Sequence, residues 1–131
     1  MPCVQIQTNV AYNESDRETI LREATKVMVE QAHKNEEAVM VILQKVDGMM
    51  GNSSEPMALI DVRSMVGIEH KTNNDISAAL TPIMTRVLGV SPYRTYITFL
   101  RIPETCWGLM GGIATWQAKT RLWVVNDEPC K

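Results

Sequence analysis

The 131-residue sequence predicts an α+β domain made of two βαβ pseudo-repeats, with both helices covering one face of a single sheet. Three observations carry this. Segments of strand and helix period follow one another as strand, helix, strand, loop, strand, helix, strand. The strand starts recur at nearly equal spacing, 36 residues from position 3 to 39 and 37 from 58 to 95. Each helical segment has one apolar stripe, which suits a helix laid on one face of a sheet.

The elements are justified in chain order. Cys3 to Thr8 alternates apolar and polar residues, with Val4 and Ile6 on one side, as in a half-buried strand. Tyr12-Asn13-Glu14 reads as a turn, and Ser15 with Glu18 fits a capping box. Ile20, Leu21, Ala24, Val27, Met28 and Ala32 then recur at helical spacing, and the helix should end near His33-Lys34-Asn35. Val39 to Leu43 is continuously apolar, which predicts a strand buried on both faces. Gly48 to Pro56 is rich in Gly, Asn, Ser and Pro and reads as a loop.

Ala58 to Val66 is a third strand, with Ala58, Ile60, Val62 and Ser64 on one side and Asp61 and Arg63 on the other. Asn73-Asn74-Asp75 offers a second helix start. Ile76, Ala79, Leu80, Ile83, Met84, Val87 and Leu88 form its stripe, and Gly89 closes it. Pro82 lies inside that stripe and predicts a kink or a restart at Thr81. Thr95 to Ile102 is the fourth strand, Tyr96 and Thr98 facing one way and Ile97 and Phe99 the other. The sheet face away from the helices, read as rich in Val, Ile and aromatic residues, calls for a second subunit as cover.

Composition narrows the function. A net charge of −2, with Lys and Arg scattered along the chain, gives no case for a nucleic-acid or membrane partner. Cys3, Cys106 and Cys130 are odd in number and lack metal or CxxC spacing, so no disulfide framework, metal or other cofactor is expected. No basic-then-apolar leader opens the chain and no apolar run reaches membrane-spanning length. The expectation is a soluble cytoplasmic protein, with export lacking a signal peptide left open.

The chemically distinctive position is Pro2. If Met1 is removed, its nitrogen becomes a secondary amine at the head of a rigid strand, able to take and give a proton near neutral pH. Proline is tolerated there because a strand's first residue need not donate a ladder hydrogen bond.

The chain resembles the macrophage migration inhibitory factor family of tautomerases, which includes D-dopachrome tautomerase. The resemblance is carried by Met1-Pro2 with Thr8-Asn9-Val10, His33-Lys34, Gly51-Asn52-Ser53-Ser54-Glu55-Pro56, Ser64-Met65-Val66-Gly67-Ile68, Ser91-Pro92-Tyr93-Arg94, Tyr96-Ile97 and Trp107-Gly108. It implies a four-stranded mixed sheet with two helices on one face, assembled as a homotrimer with its sites at subunit boundaries. It implies keto–enol tautomerisation of an α-keto acid such as phenylpyruvate, or of a dopachrome-like compound, with Pro2 as the base. Lys34, Ser64, the Met65 backbone N–H, Tyr96 of a neighbouring subunit, Thr98 and Trp107 are the implied substrate-binding residues. On spacing alone Lys34 is a surface lysine and Tyr96 a core tyrosine.

The departures from the family pattern are local. Ala38 stands where the family has a pocket tyrosine or phenylalanine, and Thr98 where it often has asparagine. The usual Trp-Asn-Gly-Ser-Thr-Phe ending is replaced by Leu109 to Trp116, so either Trp107 or Trp116 is left to supply an aromatic wall. Met57-Ala58-Leu59-Ile60 replaces the family CxxC, which removes the expectation of thiol–disulfide chemistry. The domain is expected over residues 1–116. Residues 117–131 form an extension whose Trp123-Val124-Val125 should dock on its own or a neighbouring subunit. These departures keep a second reading in play: a cytokine-like signalling or binding protein, engaging a protein receptor, with a weak or vestigial tautomerase site.

Overall fold

The computed structural model describes residues 2–114. Four strands, β1 (Pro2–Thr8), β2 (Met40–Lys45), β3 (Ala58–Ser64) and β4 (Thr95–Arg101), form one mixed sheet in the order β2-β1-β3-β4. β1 runs parallel to β2, β3 runs parallel to β4, and the central β1–β3 pair is antiparallel. Helix α1 (Glu14–Gln31) joins the first parallel pair and α2 (His70–Leu88) the second. The two βαβ units read from the sequence thus meet across the antiparallel seam. A short hairpin, β5 (Gly108–Leu109) and β6 (Gly112–Ile113), follows β4. The expected extension over residues 117–131, and Trp116 with it, lie outside the described residues.

One core forms between sheet and helices. Val4, Ile6, Ile60 and Val62 of the central strands meet Ile20, Ala24 and Met28 of α1 and Ile76, Leu80, Ile83 and Met84 of α2. Alternation in β1 and β3 is strict, as period-2 side chains require of strands with one covered face. Each fully buried aliphatic side chain contributes roughly 1.5–3 kcal/mol, so these residues dominate the folding energy.

Several local expectations are corrected. The cap of α1 is Asn13, whose side chain accepts from the Asp16 N–H at 2.7 Å in a reciprocal capping box, and not Ser15. α2 begins at His70, one turn before Asn73, with Glu69 at the cap. The helix also runs through Pro82 without a break. Pro82 and Ala78, whose carbonyl loses its partner, both lie on the exposed side, where water can take that carbonyl's bond. Buried Ile83 and Met84 hold the next turn on the core.

In the single chain β2 is covered on one face only, with Met40 59% and Ile42 42% exposed. Its apolar run reflects an edge strand and not two helix layers. The open face is also more polar than the sequence suggested. Its apolar residues, Met40, Ile42, Leu59, Tyr96 and Leu100, are exposed around Gln5, Gln7, Asp61, Arg63 and Thr98.

The loop between β2 and β3 is tied down by two side chains. Arg94 donates to the carbonyls of Pro56 (2.9 Å), Met50, Ser53 and Glu55 (each 3.0 Å). Asn9 donates to the Ser54 and Glu55 carbonyls and accepts from the Met57 N–H at 2.9 Å. These contacts explain the polar positions of the Gly51–Pro56 and Ser91–Arg94 motifs as loop anchors at the sheet end opposite Pro2.

Candidate active site at the head of β1

The site is built where three strands end in register. Pro2 pairs with Ser64, and Ser64 pairs with Arg101. Paired residues of neighbouring strands share a sheet face, so all three lie on the helix side, one strand apart. The Pro2 side chain is fully buried and Ser64 is 1% exposed. The proline ring sits where its missing N–H costs no ladder bond.

Beyond Ser64 the chain leaves the sheet through Met65 and Val66, both buried, and turns at Gly67 with φ +78°. An L side chain is disfavoured in that left-handed region, which accounts for the glycine. The turn presents the Val66 carbonyl to two donors. Ser64 Oγ donates to it at 2.7 Å and Lys34 Nζ at 3.1 Å. Lys34 is delivered by the end of α1. His33 takes a left-handed conformation (φ 54°) and the Lys34 N–H bonds back to the Met28 carbonyl at 3.3 Å. Lys34 Nζ is therefore tied through one carbonyl to Ser64, the ladder partner of Pro2.

The apolar wall is a second, smaller cluster. Met65, Val66 and Ala114 are buried, with Ala38, Trp107 and Leu109 packed against them. The Trp107 carbonyl accepts from the Ala114 N–H at 2.7 Å, which pins the hairpin beside Met65. Trp107 thus stands in the same cluster as Ala38, the position where an aromatic was missed in the sequence.

Of the residues singled out in the sequence, Pro2, Lys34, Ser64, Met65 and Trp107 come together. Tyr96 and Thr98 do not join them within one chain. Both lie on the open sheet face. Tyr96 aligns with Leu59 and hence Gln7, five residues along β1 from Pro2, or about 17 Å at strand rise. The Thr98 hydroxyl donates to Asp61 Oδ1 at 3.0 Å, and Asp61 also accepts from Arg63 Nε at 2.9 Å. These groups border a shallow depression of about 510 Å³ on the open face, away from Pro2. Next to Pro2, Cys3 faces that side. Burial pushes its thiol pKa up from the ordinary value, with Arg63 opposing the rise and Asp61 adding to it.

Two participants escaped the sequence reading. Gly67 was visible only as part of a motif, yet a Cβ there would lie 3.4 Å from Lys34 Nζ. Arg101 read as the end of a strand, yet its Nε lies 3.4 Å from the Met65 carbonyl. Pairing the third and fourth strands from their first residues, Ala58 with Thr95, would have placed Arg101 opposite Ser64. Among the described residues no group of His, Cys, Asp and Glu is arranged to hold a metal ion.

The family model described as macrophage migration inhibitory factor (MIF) matches residues 1–115. The chain belongs to the macrophage migration inhibitory factor family. A solved family structure from Toxoplasma gondii is 31% identical with a TM-score of 0.81, covering 85% of this chain and 98% of that one. A homologue from Prochlorococcus marinus is 25% identical with a TM-score of 0.79, covering 85% and 97%. The chain also shares its fold with a structure titled R7 fused 4-OT wild type asymmetric trimer, at 19% identity, a TM-score of 0.80, and coverage of 89% and 99%. No curated protein matches the chain in sequence comparison.

Proposed function

We propose that this member of the macrophage migration inhibitory factor family is a keto–enol tautomerase that uses Pro2, after removal of Met1, as its proton-transfer base. The observation that carries the reading is the placement of buried Pro2 opposite Ser64, with Lys34 held on the adjoining Val66 carbonyl. Burial and the nearby Lys34 cation both disfavour an ammonium at Pro2, so its amine is biased toward the neutral, basic form. The substrate class is an α-keto acid of the phenylpyruvate type, or a dopachrome-like compound.

In the ketone-to-enol direction the amine takes a proton from the carbon beside the carbonyl. The C–H electron pair becomes the C=C bond, and the carbonyl oxygen gains the proton. Lys34 pairs with the substrate carboxylate or the developing enolate. Met65, Val66 and Trp107 give the apolar wall, and Ala38 leaves it more open than an aromatic would.

The assembly that fits is a homotrimer. Tyr96 and Thr98 reach a Pro2 site only if a neighbouring copy presents its open face there. The exposed Met40, Ile42 and Leu59 give that face apolar surface to bury. The activity is tested with phenylpyruvate and the Pro2→Gly variant. General acid–base transfer is worth about 10²–10⁴-fold, so the variant should lose turnover by that order while remaining folded and trimeric. A processed trimer without turnover would favour the second reading, a receptor-binding protein with a vestigial site, for which the missing aromatic at Ala38 speaks.

A further inference from the structure

We propose that the C-terminal segment of this chain, residues 119–128, lies along the free edge of β2 as a parallel fifth strand. The inference does not depend on the proline reading above. It starts from an edge that the described residues leave open. β2 stands at one end of the sheet with β1 as its ladder partner, and no second neighbour flanks it among the described residues. Val39 to Leu43 is apolar throughout, so that stretch has no proline or charge to protect its unpaired N–H and C=O groups. Met40 and Ile42 are exposed on the open face, and Val41 and Leu43 on the helix side are only half-buried.

The chain leaves the described domain beside this edge. Ala114 is buried in the cluster against which Ala38 packs. The residues after it therefore begin near the start of β2, the end from which a parallel strand sets out. Five residue steps separate Ala114 from Lys119, a reach of up to about 17 Å. From there the two stretches are complementary in one unbroken register. Lys119 falls opposite Glu36, Trp123 opposite Met40, Val125 opposite Ile42 and Glu128 opposite Lys45. A basic, apolar, acidic order thus meets an acidic, apolar, basic one. Glu36, Glu37 and Lys45 are exposed and form no ion pair among the described residues. Residues in register on neighbouring strands share a face, so Trp123 and Val125 flank Met40 and Ile42, and Leu122 and Val124 extend the helix-side surface of Val39 and Val41. The other free edge, β4, would set the start of the segment beside Arg101, a like charge to Lys119 and Arg121.

Hydrogen–deuterium exchange of the full chain, read by mass spectrometry on peptides spanning residues 39–45, tests the pairing. The β2 amides that point away from β1 should exchange slowly in the wild type, since exchange follows local opening. Glu36→Lys with Glu37→Lys turns attraction toward Lys119 and Arg121 into repulsion and should speed that exchange by about 5- to 10-fold. Lys119→Glu with Arg121→Glu should do the same from the other side. All four substitutions together should bring the rate back to within about twofold of wild type, a rescue that a merely destabilised domain would not show. Trp123→Ser, which removes the apolar contact beside Met40, should also release the edge.

Fast exchange of these amides in the wild type would mean an open edge and overturn the proposal. Slow exchange that neither charge reversal nor Trp123→Ser alters would assign the cover to another surface, and charge reversals that fail to rescue one another would remove the register; each overturns it as well. Protection that holds as the protein is diluted is expected of the chain's own segment. Protection lost on dilution would give the strand to a second copy and overturn the arrangement within one chain.

Discussion

Gly67→Ala perturbs the turn that connects Lys34 to the site, and its cost can be worked from two local quantities. Gly67 has φ +78°, a conformation that costs an L residue about 1–2 kcal/mol. The added Cβ would meet Lys34 Nζ at 3.4 Å and Cε at 3.6 Å, the far end of a flexible side chain that can give way. The backbone therefore sets the stability loss at about 1.5 kcal/mol. With a urea m-value near 2 kcal/mol/M for a chain of this size, the midpoint falls by about 0.7 M at fixed protein concentration. Displacing the amine from the Val66 carbonyl loosens the carboxylate partner, so KM for phenylpyruvate should rise more than kcat falls. Urea unfolding followed by circular dichroism, with steady-state kinetics on the same samples, reads both. An unchanged midpoint would refute the strain argument, and an unchanged KM would refute the coupling of this turn to Lys34.

Other perturbations follow from the same structure. Thr8 is fully buried, and its hydroxyl donates to the Met57 carbonyl at 2.8 Å while accepting from the Val10 N–H at 3.1 Å. Thr8→Val leaves both groups short of a partner and should cost about 1–3 kcal/mol in chemical denaturation. Arg94→Ala strips a donor from four loop carbonyls. Limited proteolysis should then cut within residues 48–57 faster than in wild type, with phenylpyruvate turnover unchanged. The raised Cys3 pKa means the folded state holds that thiol proton more tightly than the unfolded chain does. Its contribution to stability is present below the ordinary thiol pKa and lost as pH rises through the folded value, so Cys3→Ser should flatten part of the alkaline fall in Tm above about pH 9. At pH 8, iodoacetamide should label exposed Cys106 well before Cys3, as peptide mass spectrometry would show.

The parts of this fold that are legible in the sequence are those written in periodicity. Val4 and Ile6, the Ala58–Ser64 alternation and the two helical stripes each report a one-sided element, and their equal spacing reports the pseudo-repeat. The errors arose where tertiary contacts outweigh a local signal. Asn13 displaced Ser15 as a cap because both are good acceptors and they lie only two residues apart. Pro82 was tolerated because its lost hydrogen bond falls on water-exposed backbone at Ala78, and a stripe of apolar residues does not show which side the proline takes. The run at Val39–Leu43 concealed an edge strand, since a continuous apolar run does not say whether its second face is covered by helices or left open. At the site, motif matches reached Pro2, Lys34, Ser64, Met65 and Trp107. They missed Arg101, whose relevance exists only through the Ser64–Arg101 register, and Gly67, whose backbone angle no sequence prints.

The central claim is that the Pro2 nitrogen is the base, and it is tested most directly by blocking that nitrogen alone. Phenylpyruvate turnover by the chain beginning at Pro2, confirmed by intact mass, should be compared with a form that retains one residue ahead of it. An amide nitrogen is not basic, so turnover should fall by about 10²–10⁴-fold with the fold intact. Equal turnover by the two forms would contradict it and assign the proton transfer to another group.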